Sequence, residues 1–148
     1  MFVLDHKKRY LQIAFNYSLS EAISILPRIP RSDQIFIEAG TPFIKREGAY
    51  GIRSLVSMWP GMVVADLKTT DGAIAEVDMA YSCGAGAATV AGNSPTETLN
   101  IFVTRCKELG MISMIDLVGV DNPLKVMMKL KVPPKVVILH RGRDEENT

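Results

Sequence analysis

Six short, nearly continuous apolar runs recur along the 148-residue chain, and a loop and a segment with helical periodicity separate each from the next. Such runs are typical of strands that are buried on both faces of a parallel sheet. The alternation therefore predicts an α/β fold in which helices cover a parallel sheet. The predicted strands are Leu11–Phe15, Ile35–Ile37, Met62–Ala65, Ala87–Ala91, Ile112–Ile115 and Val136–Leu139.

Capping residues mark the starts and ends of the helices between these strands. Ser18–Glu21 and Ser94–Glu97 are typical of capping boxes, in which serine and glutamate side chains satisfy free backbone amides. Asn122, which precedes a proline, predicts a third helix start. Gly84 and Gly110 stand where two helices are expected to end.

Composition narrows the class of protein. The chain is 47% hydrophobic and 22% charged with a formal net charge of +1, which argues against disorder and against a broad basic surface for nucleic acid. The apolar runs are strand-sized, and the first charges follow the first apolar residues, so neither a membrane span nor a signal peptide is expected. Cys83 and Cys106 lack metal-ligand spacing. We expect free thiols in a cytoplasmic protein, with a disulfide between them as the less favoured alternative.

Polar or ionisable residues stand at or just after the carboxyl ends of five of the six predicted strands. Because ligands of parallel α/β folds bind at that edge of the sheet, these side chains should form one ring. Taken singly, each has an ordinary structural explanation, such as a turn cap, a helix-entry residue or a core histidine. Their agreement across the strands favours a functional site. The ring consists of Asn16, Glu38, Asp66, Asp116 and His140.

The third strand end carries the densest charge, because Asp66, Lys68 and Asp71 fall within six positions. Glu38 and Asp66 offer hard oxygen ligands, which suit Mg²⁺ better than zinc. If the strand continues that far, Lys68 should lie on the same side as Asp66. It should stay protonated between the two aspartates, which suits stabilisation of an oxyanion. His140 can move protons near neutral pH. Together these groups fit chemistry through an enediolate of a phosphorylated or hydroxylated ketone.

The D-x-K-x-x-D spacing of Asp66, Lys68 and Asp71 resembles the signature of the orotidine 5′-monophosphate decarboxylase superfamily. Neighbouring segments narrow the resemblance to 3-hexulose-6-phosphate synthase of the archaeal type, in which this domain can follow a formaldehyde-activating domain. The resemblance covers residues 11–148 as a partial barrel domain, with residues 1–10 as an N-terminal extension or linker. The segments that carry it are Ile37–Lys45, Val64–Thr69, Asp116–Val120 and His140–Glu145.

The resemblance implies a (β/α)8 TIM barrel that dimerises with its active sites at the subunit interface. It implies a reversible aldol reaction, in which formaldehyde condenses with D-ribulose 5-phosphate to give D-arabino-3-hexulose 6-phosphate. Glu38 and Asp66 would bind the Mg²⁺ that stabilises a cis-enediolate, Lys68 would stabilise the same intermediate, and Asp71 would reach the partner subunit's site. The remaining implied roles are substrate contact for Asp116, proton transfer for His140 and a neighbouring position for Arg143.

Two features depart from the family pattern. The family usually ends its first strand with aspartate, whereas Asn16 here keeps an oxygen acceptor for the substrate but loses the charge. Six strands are predicted where a closed barrel has eight, so the fold should be an incomplete barrel without strands seven and eight. The loops after those two strands hold the substrate phosphate in such barrels. We therefore expect the isolated chain to be weakly active or inactive.

Three hypotheses remain open at this point. The chain is a fragment of a full synthase, a short non-catalytic protein that oligomerises, or a relative with sister chemistry such as 3-keto-L-gulonate 6-phosphate decarboxylation. Asp116 favours the synthase, because the resemblance predicts glutamate at that position in the decarboxylase. Unpaired sheet edges favour a homodimer or higher oligomer in each case.

Overall fold

The computed structural model describes residues 2–142 and 144–145. In this part of the chain, six parallel strands form one sheet in which every strand lies beside its neighbour in sequence. This order is that of a βα barrel, and the sheet curls into part of one, as predicted. The strands are β1 (Leu11–Phe15), β2 (Ile35–Ala39), β3 (Val63–Thr69), β4 (Ala87–Ala91), β5 (Ile112–Asp116) and β6 (Val136–Ile138).

Five α-helices connect these strands in the described part of the chain, and a short 3₁₀ turn, Leu26–Arg28, follows the first of them. Positive φ angles of 88° at Gly84 and 69° at Gly110 confirm the predicted ends of two helices. The helices are α1 (Leu19–Ile25), α2 (Thr41–Met58), α3 (Ala73–Ser82), α4 (Thr96–Glu108) and α5 (Pro123–Met127).

Two of the three predicted helix caps are confirmed. The Ser18 side chain accepts a hydrogen bond from the Glu21 backbone amide, which confirms the serine half of the predicted capping box, and the Asn122 side chain caps α5. The prediction for Ser94 was wrong, because Pro95 occupies the cap position of α4. The Ser94 hydroxyl instead donates to the backbone carbonyl of Thr69 at 3.0 Å, which ties the loop after β4 to the end of β3.

The two faces of the sheet have separate apolar cores. On the outer face, helices pack against the strands, and buried residues such as Phe43 and Phe102 fill the space between them. On the inner face, a smaller cluster is formed near the amino ends of the strands. Its buried members are Phe36, Met62, Val64, Ala87, Ile112 and Met114.

The predicted N-terminal extension closes this inner core. Leu4 and Tyr10 pack against it, and the Tyr10 ring stacks on Phe36 with the ring centroids 4.8 Å apart. Residues of the segment 2–10 therefore cover the amino end of the barrel interior.

Cys83 and Cys106 are free and buried, as predicted. Burial raises the pKa of the Cys106 thiol to about 12, so it stays protonated at neutral pH. Within the described residues, no helix has both the length and the apolar character needed to cross a membrane.

Candidate active site

A cleft of about 900 Å³ opens at the carboxyl ends of the strands. All members of the ring predicted from the strand ends line it, so the expectation that they lie together is confirmed. Lys68 joins them from β3. The predicted site residues in the cleft are Asn16, Glu38, Asp66, Lys68, Asp116 and His140.

Lys68 bridges two carboxylates at the centre of the cleft. Its Nζ lies 2.7 Å from Asp66 Oδ2 and 3.0 Å from Asp116 Oδ2. Burial by itself would lower the pKa of Lys68, but the hydrogen bonds and charges of the two aspartates outweigh burial and raise the pKa above its ordinary value. The ammonium group is therefore held charged and fixed in position.

The second carboxylate beside Lys68 is not the one that the sequence suggested. Asp71 is exposed, lies outside the cleft lining, and accepts a hydrogen bond from the Gly72 amide at 2.8 Å. β3 ends at Thr69, and Gly72 begins the turn into α3 with a φ of 65°. Asp71 therefore lies in the turn after the strand and not beside Lys68. The prediction that Lys68 lies between Asp66 and Asp71 was therefore wrong. A role for Asp71 in a partner subunit's site stays a prediction.

Asp116 connects Lys68 to His140. The His140 Nδ1 atom lies 2.9 Å and 3.0 Å from the two Asp116 oxygens, and the Val118 amide donates to Asp116 at 2.9 Å. Burial would raise the pKa of Asp116, but hydrogen bonds from His140, Val118 and Lys68 lower it below its ordinary value. Facing a carboxylate, Nδ1 carries the proton, which leaves Nε2 free to exchange a proton with a ligand.

Asp66 is buried, and donors hold both of its carboxylate oxygens. Oδ1 accepts a hydrogen bond from the Thr89 hydroxyl at 2.7 Å, and Oδ2 accepts one from the Thr41 hydroxyl at 2.8 Å in addition to Lys68. Sequence reasoning missed Thr89, because threonine within the apolar run of β4 looks like an ordinary strand former. The alternation of side chains along β4 could have found it.

The strand that carries Asp66 and Lys68 is irregular at this point. Ala65 pairs with Ala88 and Thr69 pairs with Val90, so β3 takes four residue steps where β4 takes two. Lys68 adopts a φ of 46°, in the left-handed region that costs a non-glycine residue roughly 1–2 kcal/mol. Lys68 lies beside Asp66 as predicted, but a bulge places it there and not a regular strand.

Glu38 faces the same cleft from β2, and the Gln12 side chain on β1 donates to its Oε2. Burial raises the pKa of Glu38 above its ordinary value, and the charge of Asp66 adds to the rise, although Gln12 and Lys68 oppose it. Gln12 was also missed by sequence reasoning. A cation at this place would relieve the repulsion between the two carboxylates.

The donor set fits Mg²⁺. Within the described residues, no three His, Cys, Asp or Glu side chains converge into a metal cage. Mg²⁺ commonly takes only one or two protein carboxylates and completes its shell with water and substrate oxygens. Glu38 and Asp66 supply that number of carboxylates in one cleft.

Asn16 and Arg143 complete the predicted set. The Asn16 side chain lies directly against Gly40, where a Cβ atom would overlap Asn16 Oδ1, so the glycine permits this close approach. Arg143 lies outside the described residues, and its predicted position stays a prediction.

Comparison with known proteins shows the family to which the chain belongs. The sequence model of the orotidine 5′-phosphate decarboxylase / HUMPS family matches residues 9–148. The chain belongs to this family. It is 42% identical over 138 residues to the bifunctional enzyme Fae/Hps of Methanocaldococcus jannaschii, and 40% identical over 141 residues to that of Methanothrix thermoacetophila. These matches cover 93% and 94% of the chain but only 36% of each relative, so the chain spans about a third of their length.

Solved structures of similar proteins share the fold. The 3-hexulose-6-phosphate synthase from Salmonella typhimurium is 29% identical with a TM-score of 0.86, and the match covers 93% of this chain and 66% of that one. The 3-keto-L-gulonate-6-phosphate decarboxylase from Vibrio cholerae is 28% identical with a TM-score of 0.82, over 95% and 66% of the two chains. The resemblance predicted from the sequence motifs is confirmed.

Proposed function

We propose that this cleft serves the reversible aldol condensation of formaldehyde with D-ribulose 5-phosphate, which gives D-arabino-3-hexulose 6-phosphate. The observation that carries the proposal is the fixed Lys68 ammonium between Asp66 and Asp116, with His140 on the far side of Asp116. The structural neighbour from Salmonella typhimurium, which is named a 3-hexulose-6-phosphate synthase, supports the proposed product.

The reaction begins with removal of a proton from C1 of the ketose, next to the C2 carbonyl. His140 Nε2 is the group in the cleft suited to accept that proton, because Asp116 holds Nδ1 and stabilises the imidazolium that forms. Negative charge then develops on the substrate oxygens, where the Lys68 ammonium stabilises it. The C1 carbon adds to the carbonyl carbon of formaldehyde, and the new oxyanion takes up a proton.

Glu38 and Asp66 would hold Mg²⁺ in this scheme, and when bound it supplies further positive charge that favours the enediolate over the ketone. Asn16, Asp116 and Arg143 are proposed to contact the sugar phosphate. We also propose a cytoplasmic homodimer or higher oligomer, in which Asp71 reaches the partner subunit. Exposed Leu11 on β1 and Leu139 after β6, at the two sheet edges, support association.

Decarboxylation of 3-keto-L-gulonate 6-phosphate is the second candidate. The Vibrio cholerae decarboxylase resembles the chain in fold to a similar degree. Loss of CO₂ next to the 3-keto group would also leave an enediolate, which the same cation would stabilise. Asp116, which contacts both Lys68 and His140, favours the synthase, because the resemblance predicts glutamate at that position in the decarboxylase.

The test is an assay of the purified chain with ribulose 5-phosphate, formaldehyde and Mg²⁺, in which loss of formaldehyde is followed. We expect slow turnover that EDTA removes and Mg²⁺ restores. Turnover should be slow because the resemblance places the binding site for the substrate phosphate in the loops after strands seven and eight. Release of CO₂ from 3-keto-L-gulonate 6-phosphate without formaldehyde consumption would favour the decarboxylase. No turnover of either substrate, combined with a stable oligomer by light scattering, would favour the non-catalytic hypothesis.

A further inference from the structure

Thr89 is a buried threonine on β4, only 1% exposed, whose hydroxyl touches two parts of the site at once. Its Oγ1 donates to Asp66 Oδ1 at 2.7 Å and accepts from the Lys68 backbone amide at 2.9 Å. We propose that Thr89 is a positioning residue, which holds the bulge of β3 in the one shape that turns both Asp66 and Lys68 into the cleft.

The bulge explains why such a residue is needed. Between the pairs Ala65–Ala88 and Thr69–Val90, β3 has two more residues than β4, so the regular ladder of hydrogen bonds is interrupted. The Lys68 amide is part-buried and sits within this interruption, where it would otherwise lack a ladder partner, and an unpaired N–H group away from water is costly. The Thr89 hydroxyl takes the place of the missing carbonyl.

The left-handed backbone conformation of Lys68 makes the hydrogen bond between its amide and the Thr89 hydroxyl more important. A φ of 46° is unfavourable for lysine, so the surroundings must impose it. Thr89 fixes the backbone amide of Lys68, while Asp66 and Asp116 fix its Nζ, so the residue is held at both ends. Without the hydroxyl, β3 could relax towards a regular strand and the ammonium group would leave its place between the two carboxylates.

The same hydroxyl also orients Asp66. Its single hydrogen goes to Oδ1, which leaves Oδ2 for Lys68 and Thr41. A hydroxyl can donate and accept at the same time, whereas a methyl group can do neither. Valine at this position would preserve the shape of the side chain and remove both interactions, and serine would preserve both.

The first test uses hydrogen exchange of the Lys68 amide, measured by NMR on the ¹⁵N-labelled chain, and needs no activity. Thr89→Val should speed exchange by about 5- to 10-fold, the factor expected for one lost hydrogen bond, while Thr89→Ser should exchange at the wild-type rate. Thr98→Val is the matched control, because Thr98 is also buried but lies on α4 outside the cleft. It should leave Lys68 unchanged.

The second test rests on the proposed function and uses the synthase assay. Thr89→Val should lower kcat by about 10- to 100-fold, the usual loss when a partner of a ligating carboxylate is removed, with KM for ribulose 5-phosphate nearly unchanged. Thr89→Ser should restore kcat. If the wild-type chain shows no turnover, the proposed function fails, and the exchange experiment still decides the role of Thr89.

Three results would overturn the proposal. The first is an unchanged exchange rate of the Lys68 amide in folded Thr89→Val. The others are an equal increase of that rate in the serine and valine variants, or an equal increase in Thr98→Val. If Thr89→Val does not fold, Thr89→Cys replaces it, since a thiol is a weak donor and acceptor. Lys68 exchange in that variant should then lie above the serine value. Equal exchange in the cysteine and serine variants would count against the proposal.

Discussion

The inner face of the sheet has two halves with opposite character, although the same strands build both. Near the amino ends, apolar side chains are packed and closed off by Leu4 and Tyr10. Two residues further along the strands, the same face is polar and opens into the cleft. Phe36 is followed in this way by Glu38, Val64 by Asp66, Ala87 by Thr89 and Met114 by Asp116.

The difference shows that the apolar half stabilises the fold, whereas parts of the polar half lower its stability. Removing the apolar half from water stabilises the protein by about 25 cal/mol for each Å² buried. The polar half keeps Glu38 in surroundings that disfavour its charge, and Lys68 in an unfavourable backbone conformation. Substitutions in the apolar half should therefore change stability and leave the chemistry intact. Substitutions in the polar half should change the chemistry, and at the carboxylates they should also change stability in a pH-dependent way.

The largest effect is expected at the centre of the polar half. Lys68→Met removes the cation that stabilises the developing oxyanion, so turnover of ribulose 5-phosphate and formaldehyde should fall by about 100- to 1000-fold. Lys45→Met changes an exposed lysine of α2 and should leave turnover unchanged. Similar rates for the two variants would show that Lys68 has no role in the chemistry.

The matching substitution in the apolar half is Met62→Ala. Met62 is 1% exposed, so the cavity should lower the free energy of unfolding by about 2–4 kcal/mol. Turnover per folded molecule should stay within about twofold of wild type, because the substitution leaves the charged network intact. Met128→Ala, at a residue that is 86% exposed, is the control for urea unfolding. Loss of turnover in folded Met62→Ala would break the separation of the halves.

The sequence predicts the positions of the strands better than the points at which they end. The apolar runs were enough to locate all six strands, but β3 was expected to end at Ala65 because charged residues follow. The strand in fact continues to Thr69, since hydrogen bonds satisfy the inward-facing Asp66. β2 likewise extends to Ala39, so Glu38 lies within the strand and not after it.

The partners of the site residues were less predictable than the residues themselves. Spacing placed Lys68 beside Asp66 but could not foresee that Asp116, from a strand two positions away in the sheet, replaces Asp71 as its second partner. That choice depends on the curvature of the sheet and on the bulge in β3. Neither is encoded in a short motif.

The next prediction concerns the carboxylate that links Lys68 to His140. Asp116→Asn should lower the free energy of unfolding by about 1–3 kcal/mol at neutral pH, because charge-assisted hydrogen bonds are lost. The folded-state pKa of Asp116 lies below its ordinary value, so its contribution is complete above about pH 4 and is lost as the pH falls through the folded-state pKa. Urea unfolding of both proteins between pH 7 and pH 2 measures this, and a constant difference would contradict it.

The smallest effect is expected at Glu38 and has the opposite sign. Because burial raises its folded-state pKa, ionisation disfavours the folded state as the pH rises from the ordinary glutamate value through the raised one. Glu38→Gln should therefore stabilise the metal-free protein at pH 7 by about 0.5–1 kcal/mol, and the gain should vanish below about pH 4.

Glu97→Gln provides the control for this gain in the free energy of unfolding, and both variants are measured in EDTA so that no metal is bound. It removes an exposed carboxylate in the first turn of α4, where negative charge favours the helix, so it should give no stabilisation. A destabilised Glu38→Gln at pH 7 would show that Glu38 is not under electrostatic strain.

Exchange of the C1 protons of ribulose 5-phosphate in D₂O tests the central account most directly, because it reports the enediolate without formaldehyde. In the presence of Mg²⁺ and the wild-type chain, the C1 proton signals in the ¹H NMR spectrum should decay faster than in buffer. With Lys68→Met, they should decay at the buffer rate. Decay at the buffer rate with the wild-type chain, or equally fast decay with both proteins, would contradict the account that the polar half of this barrel stabilises an enediolate.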